Sequence, residues 1–329
     1  MNIMNLSEIM DRSIEILKKY IKTIILFNLA YGVISFIAVV VLFVIGIILM
    51  FLFRDSLTSP IIFGIIFSIL SLLGVSFFLS TNIGMIKISS QDFLGGKVYA
   101  DEAIKISFRY IFKVFAIVIC VFILFIPVMA ILGTIIYYAY KGNELIFNSF
   151  DFYNPIEITL IITSVIILLV TAIIFLSYIT WIIFSLHTLV IEKQSIFTSI
   201  KRSFQLVKGD FWKILGCIII FSLSTFVIRL SLDSFLAVIL SIFYMLLKFL
   251  SVEGDYVTFM GVIFVYARWP LSILSWLVIS PVVTIMISLL YFNQRFKKEG
   301  YDILLKLKKI QQSEERNRTS ESTEFNDTI

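Results

Sequence analysis

The residues of this chain equipped for chemistry are few, and their spacing limits what they can do. There is one histidine, His187, in "FSLHTLVIEK". A lone imidazole can relay a proton or meet a lipid headgroup, but a metal centre needs several ligands and a Ser-His-acid triad needs its partners in reach. The two cysteines, Cys120 and Cys217, each lie inside an apolar run, where a thiol behaves as a small hydrophobe. "FLGGK", 93–97, invites a phosphate-loop reading. That motif needs Gly-x4-Gly-Lys-Ser/Thr so that backbone N–H groups cradle phosphate, and Gln91 and Val98 stand at two of the required positions. Neither a metal nor another cofactor is expected.

The remaining candidates are charges. Arg229 and Asp233 are four residues apart, as a pair on one helix face would be, and Arg268 follows in the next apolar stretch. Ionisable side chains inside apolar segments are costly and therefore suspects for function, here a substrate or ion pathway. All three fall near expected outer span ends, where a long side chain can snorkel, so structural anchoring is the competing reading. A second set lies in "IKRSFQLVKGDFWKILG", 200–216, which alternates bulky hydrophobes with cations. Ile200, Phe204, Val207 and Phe211 recur at steps of 4, 3 and 4 and predict one apolar helix face, with Lys201, Arg202 and Lys208 mainly off it. These three cations, with Arg295, Lys297 and Lys298 near the end of the last apolar run, are the candidates for binding lipid headgroups or a partner protein.

The segments that carry these residues are apolar enough to name the class. Of the 329 residues 60% are hydrophobic and 15% charged, with 33 Phe. Soluble domains are about 45–50% apolar and about 25% charged. The excess is gathered into runs longer than the roughly 20 residues that span hydrocarbon as helix. Six spans are expected, at about 23–53, 60–86, 111–139, 158–190, 211–231 and 270–292. Residues 232–269 are apolar but interrupted by Lys248, Glu253, Gly254, Asp255 and Arg268. They are read as a re-entrant or interfacial excursion, an extra pair of crossings being the alternative. The first run exceeds 30 residues, too long for a signal-peptide core, and is expected to stay as an anchor.

Cations assign the sides, because basic residues in short loops resist translocation. With both termini inside, 22 of the 27 Lys and Arg residues fall on the cytoplasmic side, leaving only Arg54, Lys141, Arg229, Lys248 and Arg268 outside. The expected location is the cytoplasmic membrane, multi-pass, with both termini cytoplasmic.

An internal period appears when Ser13, Ser107 and Ser203 are set in register: "IMDRSIEILKKYI", "AIKISFRYIFKVF" and "SIKRSFQLVKGDF" then align without gaps. In each copy a charged helix precedes two apolar spans. The expected fold is an all-α polytopic bundle of three such units, about 7–90, 100–191 and 196–293, in a single transmembrane domain over 1–310. The charged helices lie either in the headgroup layer, apolar side down, or as plain cytoplasmic extensions of the spans. A further amphipathic stretch covers 291–310, with Gly300 ending the membrane helix, and 311–329 is too polar to fold alone.

"SEIMDRSIEILKKY", "SIKRSFQLVKGDFWKILG" and "LLYFNQRFKKEGYDI" resemble the prokaryotic multi-pass family that includes the membrane domain fused to some glycerophosphodiester phosphodiesterases. The likeness covers about 5–307 and is most specific around Arg295, Glu299, Gly300 and Asp302. It implies a fold and a location. Members usually show Asp where this chain has Asn293, so a role for that acid does not transfer. The phosphodiesterase chemistry does not transfer either, since that soluble barrel uses two histidines, acids and a divalent metal. The expected function is therefore a non-enzymatic scaffold that interacts with anionic lipids or a cytoplasmic or membrane protein partner; no nucleic-acid partner is expected. The competing class is a transporter or permease component moving a small molecule or lipid.

Overall fold

The computed structural model describes residues 4–52, 59–146, 155–250, 255–301, 303 and 307. Among them the chain forms helices and no strands: α1 (Leu6–Leu52), α2 (Ser59–Ser89), α3 (Gln91–Leu94), α4 (Ala100–Ile146), α5 (Pro155–Ile182), α6 (Ser185–Ile191), α7 (Ile196–Val207), α8 (Phe211–Phe249) and α9 (Tyr256–Glu299). Six of these, α1, α2, α4, α8, α9 and the α5–α6 stretch, contain segments long and apolar enough to cross a bilayer. The protein is a multi-pass helical membrane protein. The expected tail, 311–329, lies outside the described residues, as does most of 302–310.

Helix ends follow local chemistry. Glu8 reaches back to accept from the Asn5 backbone N–H at 2.9 Å, closing the first turn of α1. Asp255 caps α9 by accepting from the N–H groups of Val257 and Thr258, both at 3.1 Å. Gly300 ends α9 in the left-handed conformation, φ 58°, as the sequence predicts. Pro127, Pro270 and Pro281 lie inside α4 and α9, which run on through them.

The excursion expected at 232–269 is replaced by a plain helical hairpin. α8 continues unbroken to Phe249 and α9 starts at Tyr256. No proline or glycine interrupts 232–249, and an isolated charge such as Lys248 cannot end a helix whose backbone is satisfied internally. At about 1.5 Å per residue, the 39 residues of α8 exceed the roughly 30 Å hydrocarbon core.

The chain divides into two compact units. One contains Met1–Gly32, Thr81–Ser107 and Cys217–Ile329. Its core holds Phe27, Tyr31, Ile83, Ile86, Tyr291 and Phe292, all essentially buried. Phe93 of α3 stacks on Phe292 of α9 at 4.3 Å. Gly84 of α2 lets Phe27 and Ser107 approach so closely that a Cβ there would collide with both. Polar links tie distant segments: Thr284 donates to Asn82 at 3.0 Å, Ser89 to Ser288 at 3.0 Å, and Asn293 exchanges two hydrogen bonds with the backbone of Met4.

The other unit contains Val33–Ser80 and Phe108–Gly216. Within it α7 packs against α5 and α6. The residues α7 buries are Ser199, Ser203, Leu206 and Val207, of which only Val207 belongs to the predicted apolar set. Small side chains allow close backbone approach, and the Ser203 hydroxyl finds partners in it, whereas the buried Ser199 hydroxyl finds none among the described residues. Ser203 donates to the Trp181 carbonyl at 2.7 Å and accepts from the Phe184 N–H at 3.2 Å. Thr188 donates to the Ser199 carbonyl at 3.1 Å. Of the predicted apolar set, Phe204 and Phe211 stack on Trp181 at 5.1 and 5.3 Å, while Phe204 remains 36% exposed.

The order of burial recurs along the three aligned stretches. Ile9, Ser13 and Leu17, then Ala103, Ser107 and Ile111, then Ser199, Ser203 and Val207 are buried. The residue after each serine, Ile14, Phe108 or Phe204, is an exposed hydrophobe. α1 also loses helical geometry at Tyr20, φ −113° and ψ 16°, the position aligned with Asp210 in the break between α7 and α8.

Candidate functional site

The chemistry-bearing residues fall at three kinds of place. His187 is buried in α6, where its ring meets Phe184 edge-on at 6.2 Å between centroids. A buried imidazole next to a phenyl ring is placed as core rather than as a surface relay. Cys120 and Cys217 are free thiols. Gly95 and Gly96 carry positive φ, 74° and 89°, so "GGK" is the turn that joins α3 to α4. Gln91 closes that turn by accepting from the Val98 N–H at 3.0 Å. No group of three or more His, Cys, Asp or Glu side chains comes together among the described residues.

The cationic candidates divide by how far their side chains are committed. Phe197, Lys201 and Phe204 of α7 and its C-cap Lys208 succeed one another at steps of 4, 3 and 4, and all four are exposed. Phe197 is 76% exposed and Trp212, at the start of α8, 77%. One helix face thus presents two phenyl rings and two ammonium groups together, opposite the packed serines. Arg202, beside them, donates through its Nε to Glu192 at 3.3 Å.

At the end of α9, Arg295 is internal to the fold. It is 9% exposed, donates to Glu299 at 3.0 Å and lies 3.6 Å over the Tyr301 ring. Pairing and stacking together hold a guanidinium in one orientation. Lys297 and Lys298 are exposed in the last turn of α9, where cations also complement the helix dipole.

A polar cluster that the sequence pattern does not announce joins α1 to α3. Lys19 and Tyr20 both donate to one oxygen of Asp92, at 2.5 and 2.6 Å. Arg12 lies over the Phe93 ring beside it, 5.3 Å from the centroid. Burial pushes the Asp92 carboxyl up, but the two hydrogen bonds and the Lys19 and Arg12 charges outweigh it and hold the pKa below the ordinary aspartate value. The available signal was three acids, Asp92, Asp101 and Glu102, among five cations in 87–113; nothing local pointed to Tyr20.

The embedded charges do come together. Arg268 of α9 donates to Asp233 of α8 at 3.0 Å. Arg229, one turn before Asp233, lines the same cavity of about 360 Å³ between the two helices. Ser272, Ser275 and Trp276 complete its polar side, and leucines with Phe226 its apolar side. In the other unit, an apolar groove of about 530 Å³ lies between α1 and α2. Ser71 is its one hydroxyl.

Comparison with known families adds one finding. A family model described as the membrane domain of glycerophosphoryl diester phosphodiesterase matches residues 154–326, just over half of the chain, including Arg295, Glu299 and Gly300. Comparison with curated proteins and with solved structures returns no match.

Proposed function

The chain belongs to the family of membrane domains of glycerophosphoryl diester phosphodiesterases, and from that premise we propose that it is a non-catalytic membrane scaffold held against the anionic cytoplasmic leaflet by its basic helices. The observation that carries this reading is the exposed side of α7 and its C-cap, where Phe197, Lys201, Phe204 and Lys208 alternate. Rings inserted at the acyl boundary with ammonium groups level with phosphates suit an interfacial helix. Each cation near an anionic leaflet is worth about 1 kcal/mol. The orientation follows from the cation bias, with both termini cytoplasmic in the cell membrane. The recurring burial along 9–17, 103–111 and 199–207 supports three helix-plus-hairpin repeats, so that α1 and the start of α4 would present related faces.

The test is lipid selectivity of the whole protein in mixed bilayers. Spin-labelled phosphatidylglycerol is expected to associate several-fold more than phosphatidylcholine, and the preference is expected to fall towards unity in a K201Q/K208Q variant. An unchanged preference removes the reading. Turnover of a glycerophosphodiester by the purified protein would overturn the non-catalytic assignment. Transport is the competing reading, favoured by the Arg229–Asp233–Arg268 cavity; solute flux into proteoliposomes that depends on Arg229 would establish it instead.

A further inference from the structure

We propose that the α8–α9 cavity is a binding site for a singly charged phosphate group, the form carried in a phospholipid headgroup. This rests on the charges of the cavity and not on the α7 reading.

The cavity holds two guanidinium groups and one carboxylate, a surplus of one positive charge. The carboxylate is taken: Arg268 already donates to Asp233 at 3.0 Å. Arg229 is exposed and has no ion-pair partner among the described residues. A structural anchor between α8 and α9 needs only the Arg268–Asp233 pair, so the second arginine is left without a role in that account. A guanidinium matches an oxyanion with two parallel N–H groups and cannot be neutralised by losing a proton. The hydroxyls of Ser272 and Ser275 supply further donors at the same wall.

Charge and shape narrow the occupant. A phosphate monoester carries about −1.5 to −2 near neutrality, more than the surplus neutralises, whereas a diester carries one negative charge and matches it. At about 360 Å³ the space falls in the range of small-molecule sites. Phe226, Leu230 and Leu271 line its apolar side, which suits an amphipathic body better than a bare inorganic ion.

Depth points to lipid. Trp212 and Lys213 open α8, as interfacial anchors do. Arg229 follows 17 residues after Trp212. At about 1.5 Å per residue that places it roughly 25 Å along the axis, close to the opposite edge of a hydrocarbon core about 30 Å thick. Trp276 of α9 lines the cavity, and Trp269 follows Arg268 directly in the chain. From just inside that edge a long guanidinium side chain can snorkel out to the phosphates of the far leaflet.

The experiment uses the full chain, delipidated in neutral detergent, with two probes: dioleoylphosphatidylglycerol followed by native mass spectrometry, and water-soluble glycerophosphoglycerol followed by phosphorus NMR. Wild type is expected to bind at least one of them, and R229Q to weaken that binding about tenfold while melting as wild type does. Capture of the lipid alone identifies a headgroup site; capture of the soluble diester as well identifies a site for the phosphate group from either source. D233N, which doubles the surplus charge, is expected to shift preference towards phosphatidic acid. If R229Q and D233N leave the affinities for these two probes and for phosphatidic acid within twofold, the proposal is overturned. Loss of the α7 preference in K201Q/K208Q leaves this result untouched, so the two readings fail separately.

Discussion

Asn293 illustrates how much one side chain's chemistry depends on a partner far away in sequence. Its amide accepts from the Met4 N–H at 2.9 Å and donates to the Met4 carbonyl at 3.0 Å, at 8% exposure. An ionised carboxylate can accept but not donate, so Asn293→Asp leaves the Met4 carbonyl unpaired and facing a negative charge. An unsatisfied buried group costs about 1–3 kcal/mol. N293D is expected to melt several degrees lower in detergent at pH 8, with the deficit shrinking as pH falls, because a protonated acid again donates and accepts. A deficit that grows in acid would contradict the geometry. Asp92 predicts the opposite slope. Its pKa is depressed on folding, so its contribution is complete above the ordinary aspartate pKa of about 3.9 and is lost as pH drops through the folded value. Melting of wild type and D92N is expected to differ at neutral pH and to converge in strong acid. Residue types at 92 and 293 were readable; their partners, 72 and 289 positions away, were not.

For single helices, periodicity located α7 but did not say which of its sides packs on the protein. The pattern Ile200, Phe204, Val207, Phe211 marks an apolar face without saying whether protein or lipid covers it, and of the four only Val207 is buried. Where lipid is the alternative, large hydrophobes lose nothing by facing outwards and small residues gain by packing. Ser199 and Ser203 are accordingly the fully buried pair, and Phe197 is 76% exposed. Ser203→Leu should overpack this face and sever the bonds to Trp181 and Phe184, a loss of about 1–3 kcal/mol before the hydrogen bonds are counted. Phe197→Ser should leave detergent melting within about 0.5 kcal/mol of wild type. Equal effects would mean that α7 is turned the other way. Gly84→Leu should be severe, because Phe27 and Ser107 already occupy the space its side chain needs. The α8–α9 hairpin shows the complementary limit. Scattered charges in 232–269 read as an interruption, yet helical backbone satisfies itself whatever its side chains, and α8 and α9 continue to Phe249 and from Tyr256.

Across the molecule, the distribution of cations makes a topological prediction. In a chain cleared of Cys120 and Cys217, cysteines placed at Lys201 and Asn317 should react from the cytoplasmic compartment and one at Leu250 from the opposite side. Labelling of 201 and 317 from different compartments would dismantle the six-span order. Composition and hydropathy alone determined the class, the number of spans and the exit at Gly300, because a 20-residue apolar run has one stable solution in lipid and each such run is a local property. Family membership likewise follows from sequence. Tertiary structure decided which face of α7 is packed, that Arg295 is committed to Glu299 and Tyr301, and that Arg229, Asp233 and Arg268 share one cavity. The reason is physical: bilayer insertion sorts whole segments by their total transfer energy, whereas pairing between helices depends on which individual atoms meet, and that is set only when segments far apart in the chain are brought side by side.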